Sequence, residues 1–162
     1  MELLINYCKI KGFRTVPTIH CKQSYGIVIT YINDIKISYS GDTRPSPWFI
    51  EASKNCDVMI HEATFPNNLQ QNAEDFLHST IKEAVESGIK ANCWRVILTH
   101  FSQRMQKGVN EKSTTEKNEE FYENYLKYNT ITAYDHLRSK VSQLKELPFY
   151  SKEIGKLFPS ED

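Results

Sequence analysis

Three times along this chain a short apolar run rich in β-forming residues ends in a cluster of polar and ionisable side chains, and a helical pattern follows. Lys36 to Tyr39 (KISY) leads into Ser40-Gly41-Asp42-Thr43-Arg44-Pro45, and a short helix is predicted from Pro47 to Ser53. Asp57 to Ile60 (DVMI) delivers His61-Glu62-Ala63-Thr64, and Arg95 to Thr99 (RVILT) delivers His100-Phe101-Ser102-Gln103-Arg104. Runs this short and this apolar suit strands buried on both faces. Strand, polar cluster, then helix is an α/β arrangement in which ligands gather at the carboxyl edge of a sheet.

The flanking segments extend that frame. Phe13 to Cys21 reads as a strand that ends on His20, and Gly26 to Tyr31 with Lys36 to Tyr39 reads as a hairpin about Asn33-Asp34. The polar segment Pro66 to Asn72 predicts an exposed loop. Thr80-x-x-Glu83 is a capping box that opens a helix through Ala84 and Val85, with Gly88 placed to end it. His78 and Ser79 then lie on its N-terminal lip, Ser79 as a further capping residue. A polar loop around 105–116 precedes a helix from Lys117 to Tyr128, and Thr130 to Tyr134 is a last strand with Asp135 and His136 at its end. Residues 1–162 are expected to form one partial domain, with 137–162 as a tail wrapped over it.

Charge excludes a general electrostatic attraction to nucleic acid: 20 basic and 20 acidic side chains leave a formal net charge of zero, so any RNA contact has to be local. Apolar runs fall far short of the roughly 20 residues that span a bilayer. A soluble intracellular protein without a membrane partner is the expectation, in nucleus or mitochondrion, with cytoplasm also open. The 4 cysteines contain no C-x-x-C pair, so reduced, partly buried thiols are expected.

The chemistry lies in the ends of the runs. His20, Asp42, Glu62, His78 and His100 are neutral-imidazole and carboxylate donors at strand ends or a helix lip, the donor types that zinc and manganese take. Singly, each has an ordinary structural reading: a core histidine, an Asx-turn aspartate before Thr43, a capping histidine. Together the strings PTIHCKQSYG (17–26), YSGDTRP (39–45), MIHEATF (59–65), LHST (77–80), ILTHFSQR (97–104) and AYDHL (133–137) resemble, in this order, the C-terminal half of ribonuclease Z, most closely its long eukaryotic form. The resemblance implies half of a metallo-β-lactamase αββα sandwich and metal-dependent endonucleolytic removal of the 3′ trailer from precursor tRNA. It implies that His20 ligates one metal, that Asp42 bridges two, and that His100 ligates the second. Zinc is the first choice, with manganese or magnesium as alternatives. Glu62 and His78 resemble the pair that handles the proton of the leaving 3′-oxygen, since a carboxylate-held imidazole is a competent general acid. Arg104 resembles the arginine that grips substrate phosphate with a fork of donors. His61 points to the other side of its strand and is expected to be structural. Asp135 or His136 would orient a ligand histidine.

The family's H-x-H-x-D-H string, which supplies the remaining ligands, is absent from this sequence. Each metal would thus be half-held, and a partner carrying the N-terminal half, in cis or in trans, is expected. The alternatives are one chain of a divided enzyme, or an RNA-binding or scaffolding remnant without catalysis, using Arg104 with Arg138, Lys140, Lys145, Lys152 and Lys156.

Overall fold

A computed structural model describes residues 2–102 and 117–155. Helix α1 (Glu2–Asn6) is followed by β1 (Ile10–Pro17), β2 (Tyr25–Tyr31), β3 (Lys36–Tyr39), α2 (Pro47–Ala52), β4 (Val58–Glu62), α3 (Gln70–Asp75), α4 (Ile81–Lys90), β5 (Arg95–Thr99), α5 (Lys117–Asn129), β6 (Thr130–Thr132) and α6 (Leu147–Gly155), with single 3-10 turns at Asn67–Leu69 and Val141–Gln143. The six strands form one sheet in sequence order. β1, β2 and β3 pair antiparallel, and β3 through β6 pair parallel. The parallel half arises because each crossover carries a helix, as its strand–cluster–helix sequence predicts.

Strand alternation sorts the apolar side chains to two faces. Val16, Val28, Met59, Val96 and Leu98 pack under α2, α4 and α5 through Phe49, Ile81, Ala84, Val85 and Tyr122. On the other face Val58, Ile131, Ile37, Ile60 and Ile97 meet Leu137, Val141, Leu144 and Leu147 of the C-terminal tail. A cross-strand row on this second face runs Phe13, Ile29, Ile37, Val58, Arg95. Its Arg95 end is sealed by the tail, where the guanidinium donates to the Leu144 and Lys145 carbonyls. Its Phe13 end is 48% exposed.

Several local expectations are corrected. β1 ends at Pro17, so His20 sits on the following loop and not at a strand terminus. That loop is held by an isolated bridge between Ile19 and Arg44. Residues 66–72 are not a plain loop: they include a 3-10 turn and the start of α3. Gly88 does not end α4, which continues to Lys90. A Cβ at Gly88 would lie 2.1 Å from Val96 Cγ2, so this glycine lets the helix lie close on β5. β6 stops at Thr132, two residues earlier than the pattern suggests. Of the cysteines, Cys56 and Cys93 are buried, but Cys8 and Cys21 are exposed.

Candidate metal and proton-transfer site

The turns at the carboxyl ends of β3, β4 and β5, together with the lip of α4, meet at one edge of the sheet. β4 stands between β3 and β5, so Glu62 at its end is the central group. Its carboxylate is buried and fully occupied by donors. One oxygen accepts from the Thr43 N–H at 2.9 Å and from His78 Nδ1 at 2.8 Å; the other accepts from the Thr64 N–H at 3.1 Å and the Thr64 hydroxyl at 2.8 Å. Such satisfaction is what keeps a buried carboxylate tolerable.

His78 is the centre of a row of imidazoles. Its ring centroid lies 4.8 Å from that of His20 and 5.4 Å from that of His100. The outer two rings are each tethered through Nδ1, His20 to the Leu77 carbonyl at 2.9 Å and His100 to the Thr64 hydroxyl at 2.8 Å. Asp42 Oδ1 lies 3.4 Å from His100 Nδ1. Two overlapping sets of donor atoms lie within 4.8 Å of one another: His20, Asp42 and His78, and Glu62, His78 and His100. The donor chemistry fits a divalent cation. Imidazoles held through Nδ1 leave Nε2 free to coordinate, the arrangement that fixes a ligand's tautomer and direction. The side chains are graded from the buried Glu62 (2% exposed) through His78 (15%) to Asp42 (39%) and His100 (51%), so the cluster opens outward.

Two backbone conformations at the site are ones that bulky residues rarely adopt. Leu77 and His100 have φ of 56° and 60°. The first aims the Leu77 carbonyl at His20; the second turns the chain at the end of β5. Strain of this kind concentrates where geometry is demanded by chemistry.

Three further residues shape the site without having announced themselves in the sequence. Thr64 touches Glu62 and His100, and His78 at 3.3 Å. Thr43, fully buried, offers its N–H to Glu62 and takes the Ile19 N–H on its hydroxyl at 3.0 Å, tying the His20 loop to the Asp42 turn. Arg44 donates to the His78 carbonyl at 2.7 Å and forms a two-point ion pair with Glu83. Against the upward push of burial, hydrogen bonds from Arg44, Gln70 and the Thr80 N–H hold the Glu83 carboxyl below its ordinary value. The threonines of the GDT and HEAT strings were visible as motif members, but their contacts are tertiary.

Thr80 caps α4 with Glu83 in the expected capping box. Ser79 does not cap; its hydroxyl donates to the Thr43 carbonyl. His61 is fully buried on the opposite side of β4, edge-on to Phe49 at 5.9 Å, with Nδ1 on the Glu62 carbonyl at 2.7 Å. Burial pushes its proton affinity down, in spite of that hydrogen bond. Asp135 and His136 lie exposed on a turn, and neither is hydrogen-bonded to a site residue among the described residues. Arg104 lies outside the described residues.

A mixed sheet covered by helices, with a donor cluster at the carboxyl edge of its parallel strands, is the architecture of metallo-β-lactamase-fold proteins. The metallo-beta-lactamase fold protein YhfI from Bacillus subtilis superposes with a TM-score of 0.55 over 74% of this chain and 45% of its own, at 21% identity. A long-form RNase Z from yeast superposes more fully, with a TM-score of 0.78 and 31% identity over 97% of this chain and 20% of that one. In sequence, Ribonuclease Z 1 of Schizosaccharomyces pombe is 39% identical over 151 residues, 93% of this chain and 17% of the relative. Nearly the whole chain is thus homologous to a segment of ribonuclease Z, and it spans about a fifth or less of these longer relatives. No family model matches it.

Proposed function

We propose that this chain supplies one part of a ribonuclease Z-type phosphodiesterase that removes the 3′ trailer from precursor tRNA. The observation that carries the proposal is the Glu62–His78 pair, joined at 2.8 Å and flanked on either side by the His20 and His100 rings. His20, Asp42 and His100 would hold divalent metal, zinc first. A metal in this position contributes Lewis acidity toward water and toward the phosphodiester.

The chain's own residues account for the proton. Glu62 accepts Nδ1–H of His78 and holds the ring in place, so Nε2 is the nitrogen free to face substrate. When the phosphodiester is cleaved, the 3′-oxygen of the tRNA leaves as an alkoxide, and a proton from His78 Nε2 completes the new 3′-hydroxyl. Glu62 steadies the imidazolium before that transfer. Arg44, through the His78 carbonyl, fixes the backbone that carries the ring. In the resemblance to ribonuclease Z, Arg104 grips the phosphate. The half-exposed Phe13 end of the sheet's second face supports the reading that further protein from a longer chain or a partner covers this surface.

The test is a segment exchange. This chain replaces the homologous segment of the S. pombe ribonuclease Z, and the hybrid is given a precursor tRNA with a labelled 3′ trailer. Metal-dependent release of the trailer, leaving a tRNA 3′-hydroxyl, is the predicted result. A folded hybrid that binds the precursor without cutting it would favour the non-catalytic RNA-binding reading.

A further inference from the structure

Away from the site, at the amino ends of β4 and β5, Cys56 and Cys93 lie with their sulfurs 2.8 Å apart, in direct contact. The fold enforces the meeting. Cys56 and Cys93 each lie two residues before the strand pair that begins at Val58 and Arg95, and both side chains turn into the core on the helix side of the sheet. The Trp94 N–H donates to the Cys56 carbonyl and the Arg95 N–H to the Asp57 carbonyl, each at 3.1 Å, so the two segments leading into the strands are tied together. Adjacent strands run about 4.7–4.9 Å apart, a spacing that disulfides bridge, and here the two sulfurs already face each other.

The two thiols are unequal. The hydrogen bond from Cys93 lowers the Cys56 thiol, more than its burial raises it, and the Ser38 hydroxyl at 3.5 Å and the Lys36 charge act in the same direction. Cys93 is raised by the hydrogen bond it gives and by burial. Cys56 is therefore the more readily ionised of the two, the property that separates an attacking from a resolving cysteine. Both side chains are buried, beneath two asparagines at the surface. Asn55 and Asn92, each in a left-handed turn directly before its cysteine, join at the surface through one exposed side-chain hydrogen bond of 2.8 Å.

We propose that Cys56 and Cys93 form a reversible disulfide when the chain meets a small hydroperoxide such as hydrogen peroxide. The Cys56 thiolate attacks one peroxide oxygen; the O–O bond breaks and hydroxide leaves, giving a sulfenic acid. The Cys93 sulfur then attacks Cys56 Sγ, the S–O bond breaks, and water leaves with the Cys93 proton. In sum, two thiols and one hydrogen peroxide become one disulfide and two waters. The bond would close the chain segment that carries Glu62, Thr64 and His78, from the end of the sheet opposite to them, and restrain its unfolded state. The inference does not depend on the proposed enzymatic function.

The test uses the chain with Cys8→Ser and Cys21→Ser, which removes the two exposed thiols. After hydrogen peroxide, the protein is unfolded in an alkylating agent, digested and weighed. The proposal expects a linked peptide pair containing Cys56 and Cys93, its loss on dithiothreitol, and a melting temperature raised by about 10 °C in the linked form. Cys93→Ala should abolish both changes, and if that variant does not fold, the peptide masses of the parent decide alone. Two thiols that remain fully alkylatable, or that advance to sulfinic acid without linking, would overturn it.

Discussion

Replacing Glu62 tests the site's internal structure without requiring activity. The carboxylate is buried and serves four donors: the Thr43 N–H, the Thr64 N–H, the Thr64 hydroxyl and His78 Nδ1. Glu62→Ala leaves two buried backbone N–H groups without an acceptor, at about 1–3 kcal/mol each before water relieves them. The hydrogen bond to His78 goes as well, and with partial relief by water the total should be about 3–5 kcal/mol. Against a domain stability of about 5–15 kcal/mol, that is a large fraction. Glu62→Gln keeps one acceptor oxygen but turns an amide toward two donors, so about half the loss is expected. His78→Ala, which removes a more exposed partner and leaves Glu62 three donors, should cost about 1 kcal/mol. Urea unfolding followed by circular dichroism should therefore rank the losses Glu62→Ala, then Glu62→Gln, then His78→Ala. A Glu62→Ala variant within about 1 kcal/mol of the parent, or one more stable than His78→Ala, would refute the reasoning.

Other perturbations address the frame. Gly88→Ala gains about 1 kcal/mol of helix propensity yet drives a Cβ into the β-branched Val96, so a net loss of about 1–2 kcal/mol is expected, smaller in a Val96→Ala background when the two are compared by thermal unfolding. His61 has its proton affinity lowered by burial, so the unfolded chain takes up a proton that the folded one resists. Its contribution to stability is present above about pH 6.5 and lost as pH falls below that value, by up to about 1.4 kcal/mol per pH unit until His61 itself titrates; His61→Phe should flatten that part of a stability–pH profile. Arg95 ties the tail to β5 and stacks over Trp94 at 4.4 Å, so Arg95→Met should release residues 141–147 to limited proteolysis while leaving the remaining sheet protected.

How far the sequence disclosed this arrangement depended on whether its signals were local. β4 and β5, the hairpin turn at Asp34 and the Thr80–Glu83 capping box were legible because each is specified by a few adjacent residues. The convergence of Asp42, Glu62, His78 and His100 followed from one rule, that parallel strands present their carboxyl ends together. Gly88 misled because a glycine near a helix end is compatible with two causes, a turn in the left-handed region or a close approach to a neighbour, and only the packing on Val96 distinguishes them. Thr43, Thr64 and Arg44 were illegible as organisers for a related reason. Apart from Glu62, two residues before Thr64, their site partners lie 14 to 39 residues away in the chain, and nothing in the adjacent sequence reports those distant contacts. The role of Asp135 and His136 was inferred from their place after a strand, but β6 stops early and the turn carries both out to solvent.

In the proposed division of roles, His20, Asp42 and His100 hold metal, whereas Glu62 and His78 move a proton. That division is tested most directly by measuring bound metal and trailer release together, in the hybrid enzyme carrying Asp42→Asn or Glu62→Gln. Asp42→Asn should lose both metal and cleavage. Glu62→Gln should keep its metal and lose cleavage by about 10²–10⁴-fold. A Glu62→Gln enzyme that loses metal in step with Asp42→Asn would contradict the account, and would place Glu62 and His78 among the ligands.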